Sequence, residues 1–177
     1  MEFAIKSKLL VRNSRFRERI ESLLTYPDMG EILLPGESNM FSNCHGTVYY
    51  VIRGNSEERV EPDGEGRQKI HLLDRQYARP GYICSEIMEE FLRTECRPLS
   101  EPQLDCIIAL HQPTPLVAER LPTLLEHTAI FLGIAGNFRT VFHQFNTKGQ
   151  FKLDPLELYL EGHAHLGLVA SYHMPIR

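Results

Sequence analysis

The chain has no tryptophan among its 177 residues, and it lacks more telling things as well. No stretch approaches the roughly 20 consecutive apolar residues of a membrane span. The opening MEFAIKSKLLVRNSRFRERI has a short apolar patch before a basic run, without the apolar core and small-residue cleavage site of a classical signal peptide. The chain is therefore expected to be cytoplasmic, or secreted without a classical signal peptide. There is no basic excess. The net charge is −4, which excludes the electrostatic field of a nucleic-acid binder and gives no attraction to an acidic membrane surface. Cysteine is sparse. Cys44, Cys84, Cys96 and Cys106 form no CxxC pair and no zinc spacing, and a domain of this size needs no disulfide staples, so they read mostly as reduced thiols.

What remains is an ordinary globular composition, 42% hydrophobic and 24% charged, enough for one domain over residues 1–177 with its own core. Residues 12–25 place Phe16, Ile20, Leu23 and Leu24 on one face at helical spacing. Residues 39–53, NMFSNCHGTVYYVIR, form a second apolar run. Ser42 or Asn43 could cap a helix there, although the β-branched residues alone argue for a strand. Residues 54–69, rich in Gly and Glu, read as a loop, and 82–95 as a helix stopped at Arg97-Pro98. Compact apolar runs at 104–111, 127–134 and 138–145 read as strands, with Gly136-Asn137 as a hairpin turn. Residues 154–160 fit a short helix or an edge strand, and 165–174 a final strand. Helices followed by consecutive strands predict an α+β domain, an antiparallel sheet packed against N-terminal helices.

Within that plan Cys44 is the candidate nucleophile. It stands where a polar turn becomes an apolar run, a place where a helix N-terminus would favour a thiolate, and Gly46 permits close approach. His127 opens one strand of the hairpin and His143 lies on the next, so the two imidazoles face each other. His127 is the candidate base and His143 the residue that orients it. A slip of one residue would give that role to Gln144 or Asn146. His45 either lines the cleft or faces solvent. His163, His165 and His173 crowd the C-terminus, and H-x-H on a strand is a possible metal pair, but no carboxylate or cysteine stands at a suitable offset. His111, at a strand end, reads as structural.

The segment N43-C44-H45-G46 followed by TVYYVI resembles the D-C-S-G nucleophile motif of the NlpC-type cell-wall cysteine peptidases. QLDCIIALH resembles the strand that commonly reads GDLVFF in that family. EHTAIFLG resembles HVGIYLG, whose first His is the catalytic base, and TVFHQF resembles the next strand, which carries the third polar residue. The order agrees across residues 39–145. The resemblance implies a papain-like fold with the nucleophile at a helix N-terminus, a Cys44–His127–His143 triad and amide-bond hydrolysis. It implies a peptide or peptidoglycan-like substrate, with a protein target as an alternative, and no metal or organic cofactor. Asn43 and His45 stand where the family has Asp and Ser. The family's upstream aromatic-Gly-Gly element is absent, which leaves Tyr26, Asn39, Asn43 and His45 for the substrate and oxyanion side. Residues 54–103 read as an insertion. A catalytically silent binding module, a secreted effector, an acyltransferase and a deamidase stay open on the same fold.

Overall fold

A computed structural model describes residues 13–24, 43–54, 59–62, 68–71, 83, 85–113, 125–135, 137–145 and 151–176. Tyr26, Asn39, Cys84, Gly136 and Asn146 lie outside the described residues. In chain order the elements are α1 (Ser14–Leu23), α2 (Cys44–Arg53), β1 (Arg59–Pro62), β2 (Gln68–His71), α3 (Ser85–Glu95), β3 (Cys96–Leu99), β4 (Ile107–His111), β5 (Leu125–Ala135), β6 (Phe138–Gln144), β7 (Phe151–Pro155), α4 (Leu156–Ala164) and β8 (Val169–Pro175). The expected α+β plan is present: β3-β8-β4-β5-β6-β7 form one antiparallel sheet. Among the described residues no helix is long and apolar enough to cross a membrane.

Four strands depart from the sequence expectation. The polar stretch after Arg53 contains a short antiparallel pair, β1–β2, in register Arg59↔His71 to Pro62↔Gln68. Helix α3 passes directly into strand β3, which contains Pro98. Proline has no N–H for a ladder, and β3 is tolerated because it is an edge strand. Residues 151–155 form β7, the opposite edge, before α4 begins.

The sheet buries both faces. On one, Phe16, Ile20 and Leu23 of α1, Val48 and Val51 of α2 and Met88, Phe91 and Leu92 of α3 pack with Ile107, Ile130, Leu132 and Phe142. On the other, Leu156 and Tyr159 of α4 cover Ile108, Leu110, Ala129, Phe131 and Val141. The N-terminal helices thus pack on the sheet as expected, while α4 takes the face they leave open.

Helix α2 forms despite its β-branched residues because every side chain from Cys44 to Val51 is buried, and burial outweighs a propensity of a few tenths of a kcal/mol per residue. Both ends are fixed. Asn43 caps the start, its Oδ1 accepting from Gly46 N–H at 2.8 Å. At the far end Arg19 of α1 donates to the Val51 carbonyl at 2.6 Å, where a cation meets the negative end of the helix dipole. Gly54 follows at φ +80°, a conformation that favours glycine.

Candidate active site

Cys44 is the first residue of α2 and is only 8% exposed. The dipoles of the backbone N–H groups of Thr128, His45 and Cys44 itself, and of the Thr128 hydroxyl, act to lower its pKa. His45 Nδ1 lies 3.7 Å from its sulfur. N–H dipoles at a helix start favour the thiolate. Burial outweighs them and pushes the thiol up to about 11. Cys44, Cys96 and Cys106 are all free thiols.

His45 faces neither an open cleft nor solvent. It is 3% exposed, with Nδ1 3.0 Å from Thr128 Oγ1 and Nε2 3.2 Å from Ser85 Oγ. Burial first, then the nearby His111, lowers it to about 4 against an opposing effect of Glu86, so it is a neutral, hydrogen-bonded link between α2, α3 and β5. Asn43 is equally committed. Beyond the cap, its Oδ1 accepts from Ile83 N–H at 3.2 Å and its Nδ2 donates to the Ile83 carbonyl at 2.7 Å.

On the α4 face, His127 Nε2 lies 3.4 Å from His143 Nδ1, and His143 Nε2 lies 2.8 Å from Asp154 Oδ2. Strand register explains the meeting. Ile130 pairs with Phe142, which sets His127 diagonally across from His143, and Val141 pairs with Asp154, which does the same for His143 and Asp154. The chain of bonds has a direction. The Asp154 carboxylate can only accept, so His143 carries its proton on Nε2 and offers Nδ1 as an acceptor. His127 then donates from Nε2, leaving its Nδ1 with a lone pair. Among the described residues no hydrogen bond takes up that Nδ1.

Burial also lowers these imidazoles. His127 is held well below its ordinary value, first by desolvation and then by His143, His163 and His45. In His143 desolvation outweighs the opposing bond from Asp154. His127 is half-buried by its own surface, but the rings of His143, Tyr159 and His163 pack round it with centroids 5.5, 6.0 and 5.4 Å away.

The structure thus brings together His127 and His143, and sets Cys44 against Thr128, the neighbour of His127 on β5. It places no hydrogen bond between Cys44 Sγ and His127 among the described residues. Gln144 points to the other face, where its Oε1 accepts from Thr47 Oγ1 at 2.6 Å. His163 belongs to α4 and not to a strand, so the 163–165 spacing does not give a strand-face metal pair. Among the described residues no group of three metal-ligating side chains occurs. Sequence reasoning missed Asp154, Thr128 and Tyr159. For Asp154 the signal was present in Phe-Lys-Leu-Asp, whose alternation marks a strand with Lys152 and Asp154 on one face.

No protein-family model, no curated protein and no solved structure matches the chain.

Proposed function

We propose that the protein is a thiol hydrolase of the NlpC type, on a papain-like fold, that cleaves an amide bond with Cys44, His127 and His143. Asp154 is added to the expected triad as a fourth member. The observation that carries this reading is the directed chain Asp154–His143–His127, which leaves a lone pair on Nδ1 of His127, the residue that precedes Thr128 on β5.

The resting site is a thiol beside a neutral imidazole, because burial pushes both groups toward neutrality. The thiol proton therefore passes to His127 Nδ1 as sulfur attacks the carbonyl carbon, in general-base fashion. The imidazolium is stabilised through His143 and Asp154. As the tetrahedral adduct collapses, the C–N bond breaks and His127 Nδ1–H protonates the leaving amine. Water, deprotonated by His127, then attacks the thioester, and the acid leaves as the thiol re-forms. A peptide or isopeptide, cell-wall stem peptides included, fits the resemblance. Acyl transfer or side-chain deamidation would use the same thioester, and a secreted or cytoplasmic setting suits either.

One observation favours a silent binding module instead, namely the burial of Cys44 and its raised pKa. Acetylation by p-nitrophenyl acetate, followed by peptide mass spectrometry, separates the two. The hydrolase reading expects a thioester on Cys44 whose formation slows at least ten-fold in His127→Ala. An unlabelled Cys44, or equal labelling in both proteins, contradicts it.

A further inference from the structure

Tyr159 reaches the site from α4, on the side opposite to α2. Its ring packs against His143 at 4.9 Å, His163 at 4.5 Å and His127 at 6.0 Å between centroids. The residue is 4% exposed, and its hydroxyl is buried with no hydrogen-bond partner among the described residues. An unpaired buried hydroxyl costs on the order of 1–3 kcal/mol, and phenylalanine would fill the same space without that cost. The oxygen therefore calls for a use that packing does not supply.

Two side-chain donors near the sulfur are already engaged. The Thr128 hydroxyl lies 3.0 Å from His45 Nδ1. The Asn43 amide is bound to Ile83 and Gly46. A carbonyl attacked by Cys44 calls for side-chain as well as backbone donors to the oxygen that becomes negative. The Tyr159 hydroxyl stays protonated, since burial first and then the Cys44 charge and Asp154 hold its pKa well above the ordinary value, so it keeps a proton to offer and shares an electrostatic environment with Cys44.

From the unpartnered Tyr159 hydroxyl beside His127 and His143, we infer that Tyr159 is a catalytic residue that donates a hydrogen bond to the oxyanion. This rests on the thiol-hydrolase reading. As the S–C bond forms, the carbonyl π pair moves onto oxygen and the thiol proton onto His127. Tyr159 donates a hydrogen bond and transfers no proton. When the adduct collapses the pair returns and the leaving group departs.

Two reagents acting on the same sulfur provide the test. p-Nitrophenyl acetate reacts through an oxyanion, whereas iodoacetamide alkylates by displacement and forms none. For the full-length Tyr159→Phe protein the expected result is a fall of about 10²-fold in the p-nitrophenolate burst rate. Iodoacetamide alkylation of Cys44 should stay within about two-fold of wild type, and the melting temperature should be equal or higher. An unchanged burst rate overturns the inference, as does an equal fall with both reagents, which would make Tyr159 a positioning residue for the thiol. Cys44→Ala keeps the two levels apart. A wild-type burst that survives Cys44→Ala overturns the hydrolase reading itself, whereas a Cys44-dependent burst untouched by Tyr159→Phe overturns only the role of Tyr159.

Discussion

The sheet carries two sets of histidines on neighbouring strands, and they differ in what stands at the end of the chain. On β5 and β6, His127 bonds to His143 and His143 to the carboxylate of Asp154. On β4 and β8, His111 Nε2 and His173 Nε2 both lie 2.9 Å from Ser171 Oγ, which is also 3.5 Å from the Ala109 carbonyl. Each set comprises two imidazoles and one oxygen-bearing side chain, and burial lowers all four histidines. A carboxylate cannot donate, so Asp154 fixes the proton on every nitrogen behind it. A serine hydroxyl both donates and accepts, so Ser171 fixes none. The first set is a directed relay ending in a free lone pair. The second is a structural bridge between strands. The acceptor at the far end makes the difference, not the number of histidines.

Removing that acceptor should give the largest effect. In Asp154→Ala the tautomers of His143 and His127 are released, and acylation of Cys44 by p-nitrophenyl acetate should fall on the order of 10²–10³-fold, since loss of the tautomer-fixing acid disables the base. Ser171→Ala, which removes the corresponding oxygen of the other set, should leave the same rate within about two-fold. Equal losses in the two variants would erase the distinction between the sets.

Acid should weaken both sets and the His45 link between α2, α3 and β5. His45 is held at about 4 when folded, against an ordinary 6.5. Between those values the unfolded chain binds a proton that the folded chain refuses. Stability is therefore complete above pH 6.5 and declines as the pH falls toward 4, by roughly 3 kcal/mol from His45 alone. The lowered values of His111, His127, His143 and His173 act in the same direction. Urea unfolding at pH 7.5, 6 and 5 should show the midpoint dropping across this range, less steeply in His45→Gln. A flat midpoint from 7.5 to 5 would show that these histidines are protonated in the folded state.

Much of this arrangement was legible in the sequence. Asn43 was one of two candidate caps for α2, whose helix was expected from the family resemblance against its β-branched composition, and the hairpin spacing from 127 to 143 put the two histidines together, because strand pairing follows from turn position and a two-residue alternation. Asp154 was only partly legible, since the alternation over residues 151–154 marks an edge strand but not the neighbour it pairs with. Tyr159 and His163 stand four apart on α4, a spacing that shows they share a face but not which sheet face that helix covers. The β1–β2 pair escaped because its charged, glycine-bearing composition carries no alternation of apolar residues.

The central claim is that Asp154 sets the protons along the relay so that His127 keeps a bare Nδ1. Nitrogen-15 correlation spectra of the histidine rings at pH 7.5 test it most directly. The relay predicts that His127 and His143 both carry their proton on Nε2, and that His127 loses this preference in Asp154→Ala. A proton on Nδ1 of His127 in the wild-type protein would contradict it.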